Sequence, residues 1–124
     1  MISRIHSATI VVADQDAALD FYVNTLGWEK ALDNATGPDL RFLTVVPPGA
    51  TTQLVLAHTS WFGADNPMPG KGGITLASPD IDATYDTLTK RGVKFKEPVA
   101  VMPWGQKAAW FSDLDGNEFF LVEE

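Results

Sequence analysis

Few side chains in this sequence are equipped for acid–base or metal chemistry. There are two histidines, His6 and His58, and no cysteine. A cysteine nucleophile, a thiolate metal site and a disulfide scaffold are therefore excluded. Glu118 opens the last apolar stretch, "NEFFLVEE", with the strand parity of Phe120; a carboxylate there can act as a general base or bind a cation. His58 closes "QLVLAH" with the parity of Leu54 and Leu56, away from Gln53. The aromatic residues point to a different chemistry. Four tryptophans in 124 residues is a high count, and Trp gives large apolar contact with few rotors to freeze. Trp61, Phe62, Trp104, Trp110 and Phe120 are the rings suited to stacking on a ligand. Trp104, between Pro103 and Gly105, has the context of a loop.

The elements that must carry these residues occur twice. "RIHSATIVVAD" reads as a strand from its β-branched content. A helix follows, with Asp14 as N-cap, Leu19, Tyr22, Val23 and Leu26 on one face, and Gly27 at its end. "WEKALD", "LRFLTVVPP" and "TTQLVLAH" read as three more strands. The second half repeats the order with "GGITLAS", a helix over "PDIDATYDTLTKRG", and strands in "VKFKEPVAV", "KAAWFSD" and "NEFFLVEE". The string Asp14-x-Asp16-Ala17-x-x-Asp20 recurs as Asp80-x-Asp82-Ala83-x-x-Asp86, and Arg41 and Lys107 fall at matching places in the two copies. A matched string inside a matched element order marks an internal repeat.

The sequence thus predicts an α+β fold of two βαβββ modules, residues 1–59 and 73–124, joined by a Pro- and Gly-rich linker over 60–72. Neither copy alone can bury both faces of its sheet, so the two are expected to pack about a pseudo-twofold axis. Trp61 and Phe62 are unusual in a solvated linker. Asp115, Gly116 and Asn117 supply the last hairpin turn, and Asp113 and Asn117 are expected to fix it rather than do chemistry.

Charge and length narrow the function. The formal net charge is −7, which disfavours nucleic acid as a partner and favours a cationic small molecule. No apolar run approaches a membrane span, and the first residues lack the apolar core of a signal peptide. A soluble cytoplasmic protein with no membrane partner is the expectation.

The residues "VVADQDAALDFYVNTLGW", with "PWG" and "SDLDGNEFFLVEE" in the second module, resemble the vicinal oxygen chelate superfamily. That group includes glyoxalase I, extradiol dioxygenases, fosfomycin-resistance enzymes and bleomycin-resistance binding proteins. The resemblance spans nearly the whole chain and implies a cupped eight-stranded sheet around a cavity. Metal-dependent members hold their ion with two residues from each module. The corresponding positions here are Ser7, Gln53, Gly73 and Phe120, and His6 lies one residue off, on the opposite face of its strand. One amide and one hydroxyl make a poor transition-metal site, so the expectation is no metal and no cofactor.

What the resemblance then implies is a homodimeric protein binding a small, cationic or aromatic molecule. Ser7, Gln53, Trp61, Phe62, Trp104, Trp110 and Phe120 would contact the ligand, and Glu118 is the catalytic candidate. The alternatives are a metal-dependent lyase, isomerase or dioxygenase using His6, Gln53, His58 and Glu118, and a dimeric scaffold without a ligand.

Overall fold

Each half of the chain folds in the order that the repeat predicts. The computed structural model describes residues 1–37 and 40–124, and its two compact units are Met1–Gly70 and Lys71–Glu124. The first comprises β1 (Ser7–Val12), α1 (Gln15–Asp20), β2 (Glu29–Gly37), β3 (Leu40–Val46) and β4 (Gln53–His58), in sheet order β1-β4-β3-β2. The second comprises β5 (Ile74–Ser78), α2 (Ile81–Lys90), β6 (Lys94–Phe95), β7 (Ala100–Val101), β8 (Lys107–Ser112) and β9 (Glu118–Glu123). Its sheet runs β5-β9-β8-β6, with β7 also paired to β8. In both sheets the first and last strands of the unit are parallel neighbours and the remaining pairs are antiparallel.

The repeated Asp string has one structural meaning at each position. Asp14 and Asp80 are N-caps, their carboxylates accepting from the backbone N–H of Ala17 and Ala83. Asp16 receives Arg41 at 2.7 Å and Asp82 receives Lys107 at 2.6 Å, so each helix is pinned to a strand of its own sheet. Asp20 accepts from Asn24 and Asp86 pairs with Lys90, both one helical turn on. Arg41 and Lys107 are thus spent on helix docking.

Two elements differ from their expected form. The first helix is α-helical only to Asp20; Phe21–Thr25 continue as a π-helical turn, with Leu26 N–H donating to Phe21 O at 2.9 Å. That turn brings Tyr22 to 5.4 Å from Trp28, between ring centroids. "VKFKEPVAV", expected as one strand, is two short ones. Pro98 lies in the gap between β6 and β7, where it has no N–H to give a ladder.

Alternation along β9 separates two functions of neighbouring residues. Phe119 and Leu121 are buried on the side of α2. There Tyr85, Phe95, Phe111 and Phe119 form a chain of ring contacts 4.6–5.4 Å long at each step, from helix to sheet. Glu118 and Phe120 point to the opposite face, because successive strand residues do.

The final turn is held by one buried carboxylate. Asp113 accepts from the backbone N–H of Asp115 (2.9 Å) and Asn117 (2.8 Å), and from the Asn117 side-chain amide (2.9 Å). Asp113→Ala strands these donors in a buried site, so the variant is expected to lose about 2 kcal/mol of unfolding free energy, measured by urea denaturation. In the first unit, Asp33 grips Arg41 side-on at 2.8 and 3.0 Å. The guanidinium holds the Asp33 carboxyl below its ordinary 3.8. A depressed folded-state pKa stabilises above the ordinary value and fades as pH falls below it. Asp33→Asn is therefore expected to cost about 1 kcal/mol at neutral pH. Denaturation curves of the two proteins should converge as pH drops below that ordinary value.

Candidate functional site: an aromatic face on the second unit

The tryptophans that β8 and the preceding hairpin loop carry meet Phe120 on the face of the sheet opposite α2. Trp110 and Phe120 are register partners in β8 and β9, with ring centroids 4.5 Å apart. Trp104 meets Phe120 edge-on at 6.4 Å. Phe120 is half-buried between them, while Trp110 is 40% and Trp104 63% exposed. Thr75 and Ala77, exposed on β5, flank Phe120 on its other side. Such exposure of large rings on a sheet face is the signature of a surface that something else covers.

One ion pair borders the rings. Lys96 Nζ is 2.8 Å from a Glu118 carboxylate oxygen and 6.0 Å from the centre of the Trp110 ring. Glu118, the catalytic candidate, therefore has a cation as its neighbour. Beside Trp110 a groove of about 290 Å³ is lined by Lys96, Pro98, Ala100, Met102 and Ala108, among others. Its volume is at the low end of ligand pockets, which fits a flat compound of two or three rings.

In the first unit the sequence-predicted polar residues lie side by side. Ser7 and Gln53 are register partners in β1 and β4. Thr44 Oγ1, itself accepting from Leu32 N–H, donates to Gln53 Oε1 at 2.7 Å, so the amide is held with its NH2 group left to donate. Trp61 stacks parallel to Phe42 at 6.4 Å. That contact accounts for Trp61 in a stretch that reads as linker, and its neighbour Phe62 is half-buried. The structure keeps Trp61 and Phe62 within the first unit, apart in sequence and element from the Trp104–Phe120–Trp110 set, which lies within the second.

A larger hollow, about 1010 Å³, opens on the α1 side of this sheet, lined by Gln15, Leu40, Arg41, His58, Ser60 and Trp61, among others. Its size is a weak recommendation, because its polar groups are committed. Arg41 is held by Asp33 and Asp16, and Gln15 donates to the carbonyls of Arg41 and Leu56. His58 Nδ1 accepts from Ser60 N–H at 3.1 Å and lies 2.8 Å from its hydroxyl. The histidine is therefore the cap of the short 3-10 turn Thr59–Trp61. His6 precedes β1 and is exposed.

The register tests whether a metal ion fits. Ser7 pairs with Gln53, and Thr9 pairs with Val55. In the second unit Thr75 pairs with Phe120, and one step earlier on the same face Gly73 falls beside Glu118. Gln53 and Glu118 thus hold equivalent register positions, as do Val55 and Phe120. In the first unit these positions offer two hydroxyls and an amide, from Ser7, Thr9 and Gln53; in the second they offer one hydroxyl and one ion-paired carboxylate, from Thr75 and Glu118. Neither is the imidazole and carboxylate set a transition metal needs, so the residues do not fit one. Among the described residues, the acidic groups close enough to share an ion are Asp80, Asp82 and Glu123. Each already has a donor, in Ala83 N–H, Lys107 and Ile81 N–H respectively.

Sequence reasoning missed Lys96, Met102 and Gln106 around the rings. Only Gln106, two residues beyond Trp104 in a tight turn, left a local trace.

Comparison with known proteins follows the same lines. The profile of the Glyoxalase/Bleomycin resistance protein/Dioxygenase superfamily matches residues 4–121. A Bacillus subtilis (strain 168) protein, YetH, of uncharacterised function, is 34% identical over 99% of this chain and 100% of its own length. A superfamily member from Sphaerobacter thermophilus DSM 20745 has a crystal structure with 60% identity and a TM-score of 0.92, covering 99% of this chain and 98% of that one. TnmS3, an antibiotic binding protein from Streptomyces sp. CB03234, is 38% identical with a TM-score of 0.84, over 98% and 96% of the two chains. Sequence profile, fold and internal repeat agree: this chain belongs to the Glyoxalase/Bleomycin resistance protein/Dioxygenase superfamily.

Proposed function

We propose that this protein binds a small, flat aromatic molecule, cationic or neutral, on the face built by Trp104, Phe120 and Trp110, and does so without a metal ion. The observation that carries the reading is the exposure of Trp110 and Trp104 around a half-buried Phe120. Rings held this way offer stacking with little entropy left to lose. The net charge of −7 favours a cation over an anion, and Glu118 lies at the rim to receive one by exchange with Lys96. The likeness to TnmS3, an antibiotic binding protein, supports small-molecule binding as the function class. The donor chemistry of these register positions, taken within each unit, supports the absence of a metal. Within the first unit, Ser7 and Gln53 are proposed as polar ligand contacts and Trp61 and Phe62 as apolar ones.

We infer further that the protein is a cytoplasmic homodimer, as the resemblance to drug-binding superfamily members implies. No helix of the described residues is long and apolar enough to cross a membrane. The test is a tryptophan-fluorescence titration with proflavine (cationic), 2-naphthol (neutral) and 2-naphthoate (anionic). Saturable quenching, strongest with proflavine, is expected. Absence of saturation with all three would overturn the binding reading. Retention of about one Mn, Fe, Ni or Zn per chain after dialysis would overturn its metal-free part.

A further inference from the structure

Trp104 is the most exposed of the three rings at 63%, and an exposed indole on a hairpin tip ordinarily samples several rotamers. Here both backbone and ring are held. Gly105 N–H donates to Met102 O and Met102 N–H donates to Gln106 O, each at 2.8 Å, which closes the three-residue loop 103–105 between Met102 and Gln106. Pro103 fixes φ at the first corner, and Gly105 takes φ 91°, in the left-handed region that such a loop requires of its last residue. The indole N–H of Trp104 donates to Gln106 Oε1 at 2.9 Å, and Gln106 Nε2 donates to the Glu123 carbonyl at 3.0 Å. Glu123 is anchored in turn, its carboxylate accepting from Ile81 N–H at the start of α2.

The chain of bonds runs in one direction only. An indole N–H can only donate and a carbonyl can only accept, so reversing the Gln106 amide would break both contacts. Glutamine is the side chain of this length that accepts at one atom and donates at the other. A carboxylate lacks the donor, and a thioether lacks the donor and accepts only weakly.

We propose that Gln106 is a positioning residue for Trp104, fixing the indole in the orientation that walls the aromatic face before any ligand arrives. Its consequence for affinity rests on the reading of that face as a binding site; its effect on the ring does not. A wall already ordered spares the ligand the entropy of freezing it. Losing Gln106 is therefore expected to weaken proflavine binding about threefold to tenfold without removing any contact to the ligand.

The experiment is ¹⁵N relaxation of the indole N–H groups in the ligand-free protein, with the Trp104 signal assigned by its loss in Trp104→Phe. In the native protein its order parameter is expected near that of rigid backbone, about 0.85, falling below about 0.6 in Gln106→Met. An unchanged order parameter in Gln106→Met would overturn the proposal. Proflavine titrations then complete a double-mutant cycle: in a Trp104→Phe background, Gln106→Met should add no further loss. Additive losses would mean that Gln106 acts through some other group. If the native protein binds no proflavine, the binding reading fails and the relaxation comparison alone decides the role of Gln106. Should Gln106→Met not fold, Gln106→Glu replaces it; the carboxylate keeps the acceptor for Trp104, loses the anchor to Glu123, and should lower the order parameter partway.

Discussion

In the double variant Trp110→Ala/Phe120→Ala, proflavine affinity is expected to fall at least a hundredfold relative to the native protein. Two rings 4.5 Å apart supply the largest continuous apolar contact on this face. Buried aromatic anchors of a binding site commonly contribute about 2 kcal/mol or more each on truncation, and a hundredfold corresponds to about 2.8 kcal/mol. Stability should change less, because Trp110 is already 40% exposed in the free protein. Equilibrium unfolding checks that part, with a loss of no more than about 2 kcal/mol expected. Native-like affinity in the double variant would remove these rings from the site.

The adjacent residue behaves in the opposite way. Phe119→Ala is expected to destabilise the fold by about 3–5 kcal/mol. Phe119 is fully buried on the α2 side and stacks on Phe111 with 5.4 Å between centroids. Truncating it opens a cavity at the β9 end of the ring chain that joins β9 and β8 to β6 and, through Tyr85, to α2. A loss of that size is a large share of the stability of an ordinary domain, and urea denaturation would reveal it as a lower midpoint. A cost under about 1 kcal/mol would mean that Phe119 does not anchor β9 to the ring chain. The contrast between Phe119 and Phe120 follows from strand alternation alone.

Much of this was legible in the sequence because it is local or repeated. The Asp strings placed both helix starts, the same-face spacing placed the helices, and the Asp-Gly-Asn turn placed the final hairpin. Strand parity put Phe120 with Glu118 and away from Phe119, as the ladder has it. What stayed hidden depends on contacts between residues distant in sequence. The stacking of Trp61 on Phe42 needs the path of the chain after β4, and the Lys96–Glu118 pair needs β6 laid along β8. Register was the finer loss. Gln53 and Phe120 read as counterparts in the two modules, yet the ladders make Glu118 the counterpart of Gln53 and Val55 that of Phe120. A slip of two residues keeps every side chain on its own face, so no hydrophobic pattern exposes it.

That second-unit face is the centre of the account, and chemical-shift mapping of ¹⁵N-labelled protein with proflavine tests it most directly. Binding there predicts that the indole N–H signals of Trp104 and Trp110 move first and furthest, with the backbone amides of Thr75, Ala108 and Phe120, and saturate together. Shifts concentrated instead on Gln15, Arg41 and His58 would place binding in the hollow beside α1 and contradict the account.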